Sequence, residues 1–406
     1  MKFLYNIGIF LLGIGLRIAS VFNKKARLWV HGRRKQFNDL PDTQNKEVIW
    51  FHCASLGEFD QGLPLMNKMK EVNENAFLLV TFFSPSGMQH YHKRKHPADF
   101  VMYLPLDTSS NAKRFLTHFS PSKAFFVKYE FWSNFIFAAH KNGALLFNVS
   151  GIFRPDHRYF KWYGGFFRKT LKAFDWFFVQ NRESLELLKG IGIVNVSISG
   201  DGRYDRVLEN KEYVEENELI AAFKNGQDLV VIGSCWPQDE AILLDWVTSY
   251  QGKVLIAPHN IDETSILSIQ KKLPEAIRYT KANLEQVREA KVLILDTIGQ
   301  LANAYAYGTI AYVGGGFSGS LHNILEPAVF GLPVIFGPKH TRFPEAQAFI
   351  DHGIGKSVAT ANEFEIAFSE ITNNLASISE RTQRFIEQNK GSAEKIVVHL
   401  TSSQAV

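Results

Sequence analysis

Short apolar runs rich in Val, Ile and Phe recur along this chain, each separated from the next by a stretch long enough for a helix. They lie at 48–54, 76–83, 99–106, 124–130, 144–150, 176–181 and 196–200, and again at 228–235, 253–259, 291–297, 309–316 and 333–338. Runs that are apolar throughout indicate strands covered on both faces, which are typical of parallel α/β sheets. The acidic, helix-permissive stretch 205–227 divides the two series. The pattern therefore predicts two doubly wound α/β domains in tandem, with a substrate crevice between the carboxyl ends of the two sheets.

Length and composition agree with two globular domains. The 406 residues exceed what one hydrophobic core usually supports, and 46% of them are hydrophobic, which excludes a disordered chain. Cys53 and Cys235 are the only cysteines. Two cysteines are too few for a disulfide framework or a Cys-rich zinc site, so we expect reduced thiols in a cytosolic protein.

The positive charge of the chain is concentrated at its amino terminus. Residues 1–38 contain eight Lys and Arg and no Asp or Glu, whereas the whole chain has a net charge of only +5. The remaining residues are therefore slightly acidic. A general nucleic-acid-binding protein would carry its positive charge along a folded face, so this distribution argues against a nucleic-acid partner.

The first segment, 1–38, is predicted to be a membrane-docking helix with a basic collar. Residues 3–16 are mostly apolar, and as a helix they would cover about 21 Å, less than the roughly 30 Å of a bilayer core. The basic residues between 24 and 35 suit an anionic membrane surface, and their position favours a cytoplasmic location for the rest of the chain. A cleaved secretory signal and a helix packed on the protein's own core are the alternatives.

In the first series, three loops after strands carry candidate catalytic residues. Glu58 stands where a helix should begin, so it is either an ordinary helix-terminal charge or a general base. Glu130 lies among aromatic residues and would be paired or shifted in pKa if it is buried. Arg203 follows a strand in a glycine-containing turn and suits a phosphate or carboxylate, although a structural ion pair is the simpler explanation.

In the second series, residues 313–338 resemble a nucleotide site. Gly314, Gly315, Gly316 and Gly319 follow a strand and permit positive φ or close backbone approach, and a helix opening near 322–323 would offer free N–H groups to a phosphate. The spacing fits neither the dinucleotide fingerprint nor a P-loop, and a structural glycine turn is the alternative. Glu326 could accept bonds from ribose hydroxyls. His259 has no partner at metal-binding spacing, so we expect no metal.

Taken together, these motifs resemble a known family. The motifs are SLGE (55–58), YEFW (129–132), QN (180–181), GDGRYD (200–205), APH (257–259), DTIGQL (296–301), GGG (314–316) and HNILEPA (322–328). In this order they are similar to those of the Kdo transferases, the 3-deoxy-D-manno-octulosonic acid transferases of lipopolysaccharide assembly. The resemblance runs from RLWVHGR (27–33) to about residue 350. It implies the GT-B fold, with a Rossmann-like acceptor domain at 39–208 and a Rossmann-like CMP-sugar domain at 209–406 whose last helix can cross back.

The resemblance also implies an activity and roles for residues. It implies an inverting transfer of Kdo from CMP-Kdo to a sugar hydroxyl of a lipid A precursor, without metal or cofactor, at the cytoplasmic face of an inner membrane. Glu58 matches the base, and Glu130 and Arg203 match positions that stabilise the transition state. The residues that match the CMP site are Pro258, His259, Ile298, Gly299, Gln300, Asn323, Ile324, Leu325 and Glu326. The sequence departs from the family at His259, where Arg is common, and at Gln300, where Glu is common.

Two other functions remain open from the sequence. One is a GT-B glycosyltransferase with a UDP-sugar donor, and the other is a non-catalytic protein that binds a sugar nucleotide or a lipid.

Overall fold

The computed structural model describes residues 1–402. Its strands are β1 (Val48–Cys53), β2 (Phe77–Phe82), β3 (Phe100–Tyr103), β4 (Lys123–Val127), β5 (Leu145–Gly151), β6 (Trp176–Val179), β7 (Val196–Ile198), β8 (Leu229–Cys235), β9 (Lys253–Pro258), β10 (Ile277–Arg278), β11 (Val292–Ile294), β12 (Ile310–Val313), β13 (Val334–Phe336) and β14 (Gly355–Ser357).

The helices are α1 (Lys2–Phe22), α2 (Lys24–Gly32), α3 (Leu56–Val72), α4 (Pro85–His90), α5 (Ser109–Phe119), α6 (Ser133–Lys141), α7 (Gly165–Leu171), α8 (Arg182–Lys189), α9 (Gly202–Glu212), α10 (Glu218–Lys224), α11 (Pro237–Ser249), α12 (Glu263–Lys272), α13 (Leu284–Glu289), α14 (Leu301–Tyr305), α15 (Leu325–Ala328), α16 (Pro344–Asp351), α17 (Ala361–Asn373), α18 (Leu375–Asn389) and α19 (Ser392–Ser402).

The chain divides into two compact units. Unit 1 comprises Met1–Arg206 and the carboxyl-terminal segment from Asn389, and unit 2 comprises Val207–Gln388. Each unit contains a seven-stranded parallel sheet, in the order β3-β2-β1-β4-β5-β6-β7 in unit 1 and β10-β11-β9-β8-β12-β13-β14 in unit 2. The two doubly wound α/β folds predicted from the apolar runs are confirmed.

Both faces of the unit 1 sheet are covered, as its continuous apolar strands predict. Trp50 and Phe126 belong to the core on one face, whereas their chain neighbours Phe51 and Phe125 belong to the core on the other. Because successive strand residues point to opposite faces, a strand buried on both sides is apolar at most of its positions. In unit 2 the alternate residues Leu229 and Val231 likewise lie in one buried cluster.

The start of α1 is attached to unit 1 by polar contacts. The Tyr5 hydroxyl donates to Asp107 at 2.5 Å and accepts from the Ser133 backbone N–H at 3.2 Å. Asn6 Oδ1 accepts from the Asn134 side chain at 3.0 Å. Asp107 also accepts from two backbone N–H groups in the first turn of α6. One end of α1 is therefore fixed to unit 1 through a helix cap.

The rest of α1 leaves many apolar side chains uncovered. Only Ile9 and Gly13 of this helix are buried. The exposed large side chains of α1 are Phe3, Leu4, Ile7, Phe10, Leu11, Leu12, Ile18, Val21 and Phe22. Within the described residues, α1 is the one helix long and apolar enough to cross a membrane by length and composition.

The basic segment after α1 is anchored by Arg33. Its guanidinium donates to the carbonyl oxygens of Leu104 and Phe83, at 2.8 Å in each case, and lies over the Trp29 ring at 3.8 Å. Burial lowers the pKa of Arg33 to about 9. These contacts attach the segment after α2 to the strand ends of unit 1.

Candidate functional site

A pair of carboxylates lies at the carboxyl edge of the unit 1 sheet. Glu58 is in the first turn of α3, which follows β1, and Glu130 lies three residues after β4. Because β1 and β4 are adjacent and parallel, both residues follow strand ends on the same edge. The Ser55 hydroxyl, just before α3, donates a hydrogen bond to Glu58 Oε2. This bond orients the Glu58 carboxylate from within its own turn.

Glu58 and Glu130 interact electrostatically. Burial and the negative charge of Glu58 raise the pKa of Glu130 from 4.5 to about 7, against the opposing effects of Trp132 and Arg158. Burial and the charges of Glu58 and Glu130 also raise the pKa of Tyr129, although Arg154 opposes this. Two carboxylates in one partly buried site disfavour simultaneous ionisation. The proton is therefore retained on Glu130 up to neutral pH.

Arg203 forms the structural ion pair that was the simpler explanation of its sequence position. It lies in the first turn of α9, and its guanidinium donates to Asp201 Oδ2 through Nε at 2.9 Å and Nη2 at 2.7 Å. Burial alone would raise the pKa of Asp201, but Arg203 more than offsets burial and holds that pKa below its usual range. About a quarter of the Arg203 side chain remains accessible to solvent.

The Asp201–Arg203 turn lies against α3. Asp201 Oδ1 accepts a hydrogen bond from the Gln61 side chain at 2.5 Å, one helical turn after Glu58. The chain approaches so closely that a Cβ on Gly202 would lie 2.4 Å from the Gln61 carbonyl oxygen. Only glycine fits there without a shift of the backbone. The structure therefore brings Glu58, Glu130 and the Arg203 turn around the start of one helix.

In unit 2, three aromatic side chains meet at the carboxyl edge of the sheet. The register pairs Cys235 of β8 with Pro258 of β9, so Trp236 and His259 leave the sheet side by side. Their rings stack at 3.8 Å with an interplanar angle of 17°. The His322 ring lies 5.0 Å from that of His259. Burial lowers the pKa of His259, and burial together with His259 lowers that of His322.

The glycines after β12 serve two different purposes. Gly315 and Gly319 have positive φ, at 90° and 77°. Gly314 and Gly316 do not, and glycine is required there because a Cβ would lie 2.2 Å from the Ser234 carbonyl oxygen and 2.5 Å from the Gly337 nitrogen. The expectation of backbone freedom or close approach is met at each of the four, by one route or the other.

Buried Asp239 fixes this glycine loop. One carboxylate oxygen accepts from the backbone N–H groups of Trp236, at 2.9 Å, and Gly315, at 3.1 Å, and the other accepts from the Tyr312 hydroxyl at 2.7 Å. Sequence reasoning overlooked Asp239 and Trp236. The available signal was an Asp at the third position of a helix that follows a strand, where it can cap the helix.

The helix expected to open at 322–323 is shorter than predicted and begins later. It is the single turn α15, which starts at Leu325, and the Leu325 N–H already bonds to Asn323 Oδ1 at 3.2 Å. Asn323 also donates to Glu326 at 3.2 Å. The side chains of Ile324 and Leu325 are fully buried. These two residues therefore offer only backbone groups to a ligand.

The other predicted nucleotide residues lie in two more loops of the same edge. Pro258 is the buried last residue of β9. Ile298 is 76% exposed and Gly299 has a φ of 93°. Gln300 accepts a hydrogen bond from Asn217 at 3.3 Å. Of the predicted nucleotide residues, only His259 is in ring contact with the 322–326 segment, through His322.

Among residues 1–402, no group of three or more His, Cys, Asp or Glu side chains is arranged to hold a metal ion.

This chain is similar in sequence to several known proteins. A family model described as "3-Deoxy-D-manno-octulosonic-acid transferase (kdotransferase)" matches residues 29–206. A 3-deoxy-D-manno-octulosonic acid transferase of Aquifex aeolicus is 27% identical over 334 residues, which are 80% of this chain and 86% of that protein. One from Chlamydophila psittaci is 29% identical over 304 residues, 72% of this chain and 69% of the relative.

Solved structures share the fold. The UDP-GlcNAc 2-epimerase of Neisseria meningitidis matches with a TM-score of 0.64 at 15% identity, covering 88% of this chain and all of that one. MurG of Acinetobacter baumannii matches with a TM-score of 0.56 at 11% identity, covering 88% and 99%. The two parallel-sheet α/β domains thus have the GT-B type of fold. Residues 29–206 match the Kdo transferase family model, and the chain is similar over most of its length to curated Kdo transferases.

Proposed function

We propose that this protein is an inverting glycosyltransferase that moves Kdo from CMP-Kdo to a sugar hydroxyl of a lipid A precursor such as lipid IVA. The observation that carries the proposal is the carboxylate pair of Glu58 and Glu130, which lies within the segment that matches the family model. The names of the curated relatives support Kdo as the transferred sugar.

In this proposal Glu58 is the general base. Its carboxylate is half-buried at the start of α3 and is oriented by Ser55. It takes the proton of the acceptor hydroxyl as that oxygen attacks the anomeric carbon of Kdo, and the bond from that carbon to the CMP phosphate breaks on the opposite side. A general base contributes about 10²- to 10⁴-fold to a rate.

Glu130 and Arg203 stabilise the transition state in this proposal. With a pKa of about 7, Glu130 is mostly protonated below neutral pH, and in that form it can donate a hydrogen bond where negative charge develops. Arg203 supplies a positive charge, and its pairing with Asp201 keeps the guanidinium in one orientation. A preoriented charge needs little reorganisation during the reaction.

The donor nucleotide is assigned to the carboxyl edge of the unit 2 sheet. We assign CMP to the loops that contain Pro258 and His259, 298–300 and 323–326. The leaving group is a phosphate, which imidazole and backbone N–H groups can stabilise, so the proposed reaction uses no metal or other cofactor. The His259 ring stacks on Trp236 and lies next to His322. These contacts hold the His259 imidazole at the carboxyl edge of the unit 2 sheet.

The proposed location is the cytoplasmic face of the inner membrane. The uncovered apolar side chains of α1 and the basic residues that follow it fit an anionic bilayer surface. Docking there would give the enzyme access to an acceptor whose acyl chains remain in the membrane.

The test is incubation with CMP-Kdo and tetraacylated lipid IVA, followed by the product mass. We expect the mass to rise by one or more Kdo units, and Glu58→Gln to lower the rate by about 10²- to 10⁴-fold while CMP binding is retained. Glu71→Gln, on the exposed side of the same helix, is the matched control and should keep full activity. Transfer only from a UDP-sugar, or nucleotide binding without any transfer, would contradict the proposal.

A further inference from the structure

A turn in unit 1 presents two aromatic side chains to solvent. Trp162 is 91% exposed and Tyr163 is 50% exposed, with their rings 5.6 Å apart. The seven tryptophans all lie within the described residues, and Trp162 is the only one of them that is exposed. The large apolar surface of an exposed tryptophan contributes no burial energy to the fold. An exposed tryptophan next to an exposed tyrosine therefore suggests a surface that contacts another molecule.

Hydrogen bonds from Arg168 and Gly164 fix the backbone of the turn that carries these side chains. Arg168 Nη1 donates to the carbonyl oxygens of Tyr159, at 3.0 Å, and Lys161, at 2.8 Å. The backbone N–H of Gly164 bonds to the Lys161 carbonyl oxygen at 2.9 Å. A Cβ on Gly164 would lie 2.1 Å from the Arg158 carbonyl oxygen. The aromatic pair is therefore presented by fixed backbone and not by a flexible loop.

The turn adjoins the apolar helix α1. It leads directly into α7, whose Phe166 ring lies 5.2 Å from the Tyr5 ring of α1, with the Phe167 ring at 6.5 Å. Phe166 is only three residues after Tyr163. The exposed aromatic pair and the exposed face of α1 are thus neighbouring parts of unit 1.

The charge around the turn has the same sign as that of the amino terminus. Residues 158–172 contain Arg158, Lys161, Arg168, Lys169 and Lys172 and no Asp or Glu. Tryptophan and tyrosine are favoured at the boundary between headgroups and acyl chains, and basic residues are attracted to anionic headgroups. Exposed aromatic rings with a basic surround therefore fit an anionic lipid surface better than they fit a protein partner.

We propose that the Trp162–Tyr163 turn is a second membrane-insertion element, which enters the headgroup region of an anionic bilayer beside α1. The inference extends the membrane location proposed above. Two insertion points on unit 1 would restrict its orientation on the bilayer more than α1 alone.

The test is binding of the full chain to vesicles that contain phosphatidylglycerol, measured by co-sedimentation. We expect Trp162→Ala with Tyr163→Ala to weaken binding by about tenfold, because both side chains lose their apolar contact with lipid. The matched control is Val194→Ala, which changes a side chain of unit 1 that is 75% exposed and should bind as the wild type does. Phosphatidylcholine vesicles should bind the wild type less tightly, because they lack the anionic charge.

A second measurement locates the side chain itself. Lipids brominated in the upper acyl chain should quench the fluorescence of the wild type more than that of Trp162→Phe, whose other six tryptophans are unchanged. Equal quenching, or equal vesicle binding of the double variant, would overturn the inference and leave the role of α1 intact. Failure of Kdo transfer in detergent micelles, with vesicle binding preserved, would instead overturn the proposed function alone.

Discussion

At the scale of single residues, the candidate site is characterised by the electrostatic effect of Glu58 on Glu130. Ser55 donates to Glu58, and burial together with the charge of Glu58 raises the pKa of Glu130 to about 7. In the proposed mechanism, two glutamates of the same chemical type thus take different roles because their surroundings differ.

The raised pKa of Glu130 predicts a pH-dependent cost in stability. In the unfolded chain Glu130 ionises near pH 4.5, and in the folded chain near pH 7. Stability from the retained proton is therefore complete below pH 4.5 and lost as the pH rises through 7. We expect Glu130→Gln to be more stable than the wild type by about 1–3 kcal/mol at pH 8 and by almost nothing at pH 4.

Urea denaturation of both proteins at each pH measures this difference. Glu71→Gln serves again as the control, because Glu71 is exposed and its ion pair with Lys68 contributes at most about 1 kcal/mol. A gain in stability that is the same at pH 4 and pH 8 would show that the proton on Glu130 is not its cause.

The sequence predicted which strand ends carry the charged candidate residues, but not what each of these residues contacts. The position of Glu58 and Glu130 on one sheet edge was predictable because loops after adjacent parallel strands lie at the same edge. The pairing of Arg203 with Asp201 joins residues two apart, and the sequence could suggest but not decide it. The stack of Trp236 on His259 depends on the register of β8 and β9, which a single sequence does not contain.

At the scale of elements, strands with a strong signal were predicted and weak ones were not. All twelve apolar runs form strands, which are β1–β9 and β11–β13. The missed strands, β10 and β14, have two and three residues and lie at opposite edges of the unit 2 sheet. Short edge strands need little apolar surface, and Arg278 and Lys356 fall within these two. The helix α15 begins later than predicted because the Asn323 side chain accepts a hydrogen bond from the Leu325 N–H.

Asp239 connects the start of α11 with the glycine loop after β12. We therefore predict that the stability of unit 2 depends on its carboxylate. Asp239→Ala would leave the N–H groups of Trp236 and Gly315 and the Tyr312 hydroxyl without their acceptor. Each buried unsatisfied donor costs about 1–3 kcal/mol. We expect the variant to lose about 3–5 kcal/mol of stability, and to bind CMP more weakly because the loop is no longer fixed.

Thermal unfolding and CMP titration of Asp239→Ala test this prediction. Asp245→Ala changes an exposed residue of the same helix and should stay within about 0.5 kcal/mol of the wild type. If Asp239→Ala unfolds and binds CMP as the control does, the loop does not depend on this carboxylate.

At the scale of the whole molecule, the chain returns to unit 1 after completing unit 2. Asp205, at the end of the first passage through unit 1, accepts hydrogen bonds from the backbone N–H groups of Gly391, at 2.5 Å, and Ala393, at 2.8 Å. These bonds satisfy free N–H groups at the start of α19. Unit 1 is therefore discontinuous in sequence, whereas unit 2 is one uninterrupted segment.

The carboxyl-terminal helix also supplies part of the unit 1 core. Ile396, Val397 and Leu400 are buried with Leu63, Met66 and other residues on one face of the sheet. The His399 ring lies 4.1 Å from the Trp176 ring. Because α19 covers part of one face of the sheet, the core of unit 1 is complete only when α19 is packed on it.

We therefore predict that loss or destabilisation of α19 destabilises unit 1. Truncation after Asn389 removes α19 and should abolish the cooperative unfolding of unit 1, because the loss of several buried side chains approaches the 5–15 kcal/mol stability of a typical domain. The milder variant Leu400→Ala should destabilise unit 1 by about 2–4 kcal/mol and leave unit 2 unchanged. Val398→Ala, on the exposed side of the same helix, is its control. Hydrogen exchange resolved by segment distinguishes the units: faster exchange in β1–β6 with unchanged β8–β13 is expected, and equal acceleration in both units would contradict the assignment of α19 to unit 1.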